Sequence, residues 1–295
     1  MNYPPEEQKQ RSELQEKLLK APAYRLAFED TALLGKDELR PLRLQMELYK
    51  AEMAQQEQQV RSTVVVFGSA RTLPPNIAQE KLNAAQRALE ASPEDPLLKA
   101  EVTTSKKQVE QSHYYQVARE FSKIVSTTCQ CDGECDYVVV TGGGPGIMEA
   151  GNRGAFDVNA KSIGLNIELP FEQAPNPYVT PELCFNFQYF AIRKMHFLMR
   201  ARALVAFPGG YGTMDELFES MTLIQTGKSP KIPIVLVGKN FWTRVFNLEV
   251  LAEEGVISPH DLDLVTYAET PEEIWDAIEN YYQENPLPPE TNPDM

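Results

Sequence analysis

The segment Pro208-Gly209-Gly210-Tyr211-Gly212-Thr213-Met214-Asp215-Glu216 holds the residue types and spacing best suited to chemistry. An apolar run, Ala203 to Phe207, precedes it, and a helix-like pattern of Leu217, Phe218, Met221, Leu223 and Ile224 follows. Strand, glycine turn and helix start together aim unsatisfied backbone N–H groups and the positive end of a helix dipole at an anion. Glycines remove Cβ atoms, so a phosphate can approach the main chain closely. Glu216, one turn into the helix, then sets a carboxylate beside the bound anion. Thr213 and Glu216, three apart, also fit a capping box, which needs no chemistry. Both readings stand open on this motif alone.

A second cluster shifts the balance. Val138-Val139-Val140-Thr141 reads as a buried strand, and Gly142-Gly143-Gly144-Pro145-Gly146 leads into Ile147-Met148-Glu149-Ala150, another helix start. Two strand–glycine–helix units suggest two phosphate or ribose contacts at the carboxyl edge of one parallel sheet.

Gly142–Glu149, Arg193-Lys194-Met195 and Pro208–Glu216, in that order, resemble the Lonely Guy (LOG) family, long labelled as possible lysine decarboxylases. The resemblance starts at Val64–Arg71, resumes at Tyr114-Tyr115 and runs to about Tyr281. Residues 1 to 60 and 72 to 111 have no counterpart in the short members. The resemblance implies a nucleoside 5′-monophosphate phosphoribohydrolase, of AMP nucleosidase or cytokinin-ribotide type, releasing free base and ribose 5-phosphate. It places catalytic roles on Arg193 and Glu216 and substrate contacts on Lys194, Gly209, Gly210, Gly212 and Thr213. Tyr211, Ser69, Gly142, Gly143, Gly144, Gly146 and Met148 complete the expected phosphate- and substrate-binding set. Glu149 is given no catalytic role. The family also implies a homodimer or higher homo-oligomer.

An N-glycosidic bond breaks through an oxocarbenium-like ribosyl cation, with water arriving at the anomeric carbon. The glycine turn supplies the phosphate anchor, and Glu216 would stabilise the cation and activate water. Both roles need Glu216 ionised, which a neighbouring Arg193 would favour. Arg193 could instead be a solvated helix charge, the usual fate of Arg. Phe190, Ile192, Phe197, Leu198 and Met199 around it make that helix too apolar to be fully exposed. His196, with the same neighbours, reads as a core histidine.

Other classes fit less well. Phe67-Gly68-Ser69-Ala70-Arg71 lacks the G-x-G-x-x-G of a dinucleotide-binding oxidoreductase. No lysine is marked out for a pyridoxal-phosphate Schiff base. The serious rival is a non-catalytic nucleotide or molybdenum-cofactor carrier of related fold, and Arg193 together with Glu216 argues for the enzyme. No cofactor and no metal are expected. Cys129, Cys131 and Cys135 form C-x-C-x3-C with Cys184 remote, which is poor spacing for structural zinc.

Acidic residues outnumber basic ones 42 to 28, a formal charge of −14 over 295 residues. That field disfavours a nucleic-acid polymer but allows a small nucleotide held locally. Apolar content of 42% and charged content of 24% suit a globular chain. No apolar run is long enough to span a bilayer, and the first residues lack a signal-peptide pattern, so no membrane partner is expected and a cytoplasmic location is the default.

The fold expected is α/β, a doubly wound, Rossmann-like parallel sheet with a helical N-terminal extension and a helical insertion after the first strand. The division expected is extension 1–60, catalytic domain 61–283 with insertion 72–111, and a disordered, Pro-rich tail 284–295. Strands are expected at Thr63–Phe67, Tyr137–Thr141, Ser162–Ile167, Ala203–Phe207, Ile232–Val237 and, more weakly, Leu264–Tyr267. Helices are expected at His113–Ser126, Ile147–Val158, Gln188–Arg200, Met214–Gln225, Phe241–Glu253 and Pro271–Tyr282. In the extension, Leu42, Met46, Tyr49 and Met53 recur at helical spacing, a stripe best read as packing on its own subunit. Thr72–Gln111 leaves the binding edge of the sheet and is expected to fold as a helical hairpin beside the pocket.

Overall fold

The computed structural model describes residues 3–130, 135–170 and 174–286. Cys131 and most of the C-terminal tail lie outside the described residues. The chain divides into two compact units, one to Lys50 and one from Ala51.

The first unit holds α1 (Pro5–Leu19), α2 (Thr31–Leu34) and the start of α3 (Arg40–Glu57). Helix α1 has no buried residue. The Arg43 guanidinium donates to the carbonyls of Leu34 and Lys36, closing the turn before α3. Leu42, Met46, Tyr49 and Met53 are all exposed. Amphipathic periodicity marks a face without saying what covers it.

In the second unit the chain runs β1 (Thr63–Phe67), α4 (Pro75–Ala91), α5 (Pro96–Gln111), α6 (His113–Cys129), β2 (Val138–Thr141), α7 (Ile147–Phe156), β3 (Ser162–Ile167) and β4 (Cys184–Phe187). It continues through α8 (Phe190–Met199), β5 (Ala201–Ala206), α9 (Tyr211–Gln225), β6 (Ile234–Val237), α10 (Lys239–Val245), α11 (Leu248–Glu253), β7 (Val265–Ala268) and α12 (Pro271–Glu284). The seven strands form one sheet in the order β4-β3-β2-β1-β5-β6-β7, and every pairing is parallel. Helices cover both faces. Val65 and Phe67 of β1 join one apolar cluster, Val64 and Val66 the other, as a strand buried on both sides requires.

Strand order reverses at β1. The chain winds outward through β2, β3 and β4, then returns to add β5 on the other side of β1. The loops after β1 and β5 both line a crevice there, the ligand position of open α/β sheets.

Several elements differ from the sequence expectation. Strand β4 was not anticipated: it is four residues long, alternates buried and exposed positions, and lies at the sheet edge, so no continuous apolar run announces it. The single helix expected over Phe241–Glu253 is two, because Phe246 and Asn247 take extended backbone and the Asn247 side chain caps α11 by accepting the Glu249 N–H. Helix α9 begins at Tyr211, three residues early, with Gly210 as its cap. The start of α12 is as read: Thr270 and Glu273 form a reciprocal capping box with Pro271 at the first position. Residues 51–60 go with the sheet unit. Ala51 is buried, and Glu52 makes a two-pronged pair with Arg200 at 2.6 and 2.5 Å.

Candidate active site

Three loops meet over the crevice and are laced by main-chain hydrogen bonds. The Phe207 N–H donates to the Phe67 carbonyl at 2.9 Å, and the Ser69 N–H to the Pro208 carbonyl at 3.1 Å. The Ile147 N–H donates to the Ser69 carbonyl, also at 3.1 Å. The loop after β1 thus holds the two glycine segments at fixed spacing. Between them lies a cavity of about 990 Å³, at the upper end of the range typical of small-ligand sites.

The segment 208–216 forms one wall. Gly210 caps α9 with no side chain to offer, so the first N–H groups of the helix have no side-chain cap. A Cβ added at Gly210 or Gly212 would meet nothing within 4 Å, so the turn is open on the cavity side. Gly209 differs, since its Cβ would overlap the Thr213 side chain. Thr213 is the third residue of the helix and not its cap, so the capping box that competed for Thr213 and Glu216 does not form. Tyr211 is 96% exposed and lies on the cavity wall.

Glu216 lines the cavity yet is only 8% exposed. Burial pushes its carboxyl up to about 7, against the pull of Lys194 and Arg193 and with a smaller push from Asp215 and Glu219. Arg193 favours the charged form, as expected, but desolvation outweighs both cations.

Arg193 lies on α8 with its guanidinium over the rings of Phe197 and Phe190, 5.2 and 5.9 Å from their centroids. Its Nε donates to the Leu165 carbonyl at 2.8 Å, which fixes the fork toward the cavity. One terminal nitrogen occupies the space a Gly142 Cβ would need, 2.8 Å away. Burial lowers its affinity for a proton, and Glu216 and Asp215 partly restore it; an arginine there remains cationic.

The second glycine loop reaches the cavity through Gly142 and Met148 only. A Cβ at Gly143 would strike the Asn166 amide, and one at Gly146 would lie 2.3 Å from the Ser69 carbonyl oxygen. Asn176 ties the carbonyls down: its N–H donates to the Gly143 carbonyl at 2.8 Å and its side chain to that of Gly144 at 3.0 Å. Asn176 also bonds the buried Asn152, which accepts from Thr141 and donates to Ser162. Gly143, Gly144 and Gly146, expected to contact substrate, therefore sit in a packed loop outside the cavity wall. Asn152 and Asn176 were missed. A buried-looking Asn between Gly151 and Arg153 on an apolar helix was the available signal for the first; nothing local marked the second.

Ser69 lines the cavity, and its hydroxyl accepts the Arg71 N–H at 3.1 Å. Lys194 is not on the cavity wall; its ammonium lies 2.9 Å from Asp215 and 2.6 Å from Glu219. Glu149 accepts the Tyr115 hydroxyl at 2.7 Å, a structural use. His196 is buried with its ring 5.5 Å from that of Phe187, in the core as read.

The insertion supplies the opposite wall. Helices α4 and α5 pack through Leu82, Ala85, Leu89, Val102 and Val109. One face of α5, carrying Thr104, Lys107, Gln108 and Gln111, lines the cavity together with Arg71 and Thr72. No helix among the described residues is long and apolar enough to cross a membrane.

Known proteins are similar in sequence to this chain. Residues 148–278, which include Arg193 and the 208–216 segment, match the family described as "Possible lysine decarboxylase". A probable cytokinin riboside 5′-monophosphate phosphoribohydrolase of Oryza sativa subsp. japonica, LOGL3, is 28% identical over 152 residues, 49% of this chain and 68% of its own length. The Arabidopsis thaliana cytokinin riboside 5′-monophosphate phosphoribohydrolase LOG3 is 32% identical over 90 residues, 30% of this chain, and the match spans only 42% of its length. Among solved structures, the molybdenum cofactor binding protein of Rippkaea orientalis overlays 57% of this chain and 87% of its own, with 19% identity and a TM-score of 0.41. The family match over residues 148–278 and the relatives' similarity together support a LOG-family member.

Proposed function

We propose that this protein hydrolyses the N-glycosidic bond of nucleoside 5′-monophosphates, AMP or cytokinin ribotides, to free base and ribose 5-phosphate. The observation that carries the proposal is a buried Glu216, poised near neutrality, one turn below an open glycine turn and beside Arg193. The activity named for the relatives points the same way.

The 5′-phosphate sits on the N–H groups at the start of α9, where the helix dipole favours an anion. That places the ribose over Glu216. As the base leaves, positive charge develops at the anomeric carbon, and a carboxylate at low dielectric stabilises it. The same carboxylate takes a proton from the attacking water, a task best done by a base with a pKa near the working pH. Arg193, held by the Leu165 carbonyl, orients the nucleotide and helps keep Glu216 charged. The partner expected in solution is a second copy of the chain.

Chromatography of the protein incubated with a panel of 5′-nucleotides should show free base and ribose 5-phosphate. Glu216→Gln keeps the shape and removes the charge, so turnover should fall roughly 10²–10⁴-fold. The acid limb of kcat/KM in the parent protein should lie near pH 7. Adenosine, lacking the anion, should be a poor substrate; turnover comparable to that of AMP would defeat the anchor. Tight nucleotide binding without release of base from any nucleotide would instead favour the carrier reading.

A further inference from the structure

Three carboxylates share just over one turn of α9: Asp215, Glu216 and Glu219. Residues three and four apart on a helix face each other, so Glu219 neighbours both of the others. Left alone, this trio would repel a negative charge on Glu216 strongly. Lys194 reaches across from α8 and places its ammonium against Asp215 at 2.9 Å and Glu219 at 2.6 Å, with its side chain only 17% exposed. It is the residue after Arg193, and successive helix residues point about 100° apart. Arg193 lines the cavity and Lys194 does not.

We propose that Lys194 is a positioning residue that neutralises Asp215 and Glu219 beside Glu216 and makes no contact with the substrate. The proposal rests on Glu216 as the base. The charged groups acting on Glu216 are Lys194 and Arg193 from α8 and Asp215 and Glu219 from α9. Arg193 is fastened to the Leu165 carbonyl and two aromatic rings, so it cannot move over to replace Lys194 on Asp215 and Glu219. Lys194 therefore eases the ionisation of Glu216 against its burial, and Arg193 meets the ligand.

The test is Lys194→Met, with Lys194→Arg as the charge-keeping control. In Lys194→Met the acid limb of kcat/KM should move up by about one pH unit or more, with KM for the nucleotide at high pH unchanged and the rate largely recovered there. Lys194→Arg should keep the parent profile. A raised KM with an unmoved profile would overturn the proposal and make Lys194 a substrate contact. Should Lys194→Met fail to fold, Glu219→Gln reads the same cluster: removing one negative neighbour should move the acid limb down, and an unmoved limb counts against the idea. Carbon-13 NMR of the Glu216 carboxyl should show the same shifts with no substrate present. That measurement separates the two failures, since an active Glu216→Gln would remove the base reading while the titration still reports whether Lys194 acts on Glu216.

Discussion

The two glycine loops look alike as sequence and do opposite things in the fold. Both follow a buried strand and open a helix. The 208–213 turn keeps two of its three glycines toward empty space, with nothing within 4 Å of a Cβ at Gly210 or Gly212. In the 142–146 loop the glycines let the protein's own parts come together: Asn166 against Gly143, Arg193 and Met148 against Gly142, the Ser69 and Ala70 main chain against Gly146. A missing Cβ allows close approach, and the neighbours decide what approaches. In one loop a ligand is free to do so. In the other the place is taken.

The sharpest way to break this contrast is Gly210→Val. Gly210 has φ −97° and ψ −154°, a backbone any residue adopts, so the folded state should tolerate the change. The new side chain would stand in the open space where the phosphate must sit. Calorimetric titration with AMP should show binding lost while the unfolding midpoint in urea stays near that of the parent. Retained binding would mean that the anion lies elsewhere.

Gly146→Ala should behave in the reverse manner. Gly146 has φ +73° and ψ −128°, a region that costs a non-glycine residue about 1–3 kcal/mol, and its Cβ would press on the Ser69 carbonyl. Stability should fall by roughly 3 kcal/mol once overpacking is added, with the affinity of the folded fraction for AMP kept. Chemical denaturation read beside titration distinguishes the two outcomes. If stability holds and affinity collapses, the second loop is a ligand loop after all.

Glu216 sharpens the contrast in another way, because the open site carries a stability cost that the packed loop does not. A carboxyl near 4.5 in the unfolded chain and about 7 in the fold binds more protons folded than unfolded between those values. Stability is then fully present below about pH 4.5, declines as pH rises and levels off above pH 7. The full difference is up to about 3 kcal/mol. Glu216→Gln should therefore unfold at higher temperature than the parent at pH 8 and show little gain at pH 4. A lower melting temperature at pH 8 would mean that the carboxylate is stabilised by contacts other than those seen here.

How much of this could be read from residues alone follows from how local each feature is. The 208–213 turn was readable because its glycines, the preceding strand and the following helix are contiguous. So was the capping box of α12. The start of α9 was not, since Thr213 and Glu216 offered a plausible cap and only the placement of Gly210 removes it. Strand β4 was hidden by its length and edge position. Neighbouring charges near Glu216 were visible in sequence, whereas its burial was not, and burial decides its ionisation. Lys194 and Arg193 are adjacent letters that face different surroundings. Asn176 acts through Gly143, Gly144 and Asn152, contacts made only when the chain folds back.

The smallest expected effect concerns the wall facing the glycine turn. The α5 face of Thr104, Lys107, Gln108 and Gln111 follows i, i+3, i+4 and i+7 spacing, so it is one stripe of a helix, and all four residues line the cavity. Among them, the Gln108 side-chain oxygen is shielded from water without a hydrogen-bond partner, and a shielded acceptor gains from a donor. A base with an exocyclic amine supplies one after a rotation of the Gln108 amide. Gln108→Leu should therefore raise KM for AMP several-fold, about 1 kcal/mol for one hydrogen bond, and leave kcat little changed, because a contact to the exocyclic amine is made equally before and during bond breaking. An N6-substituted ribotide, with one fewer N–H to offer and more apolar surface, should lose less or gain. Steady-state kinetics on the two nucleotides gives the ratio directly. Equal losses would mean that α5 senses only the phosphate or the sugar, and no change for either would leave the insertion as a wall that shapes the cavity without reading its contents.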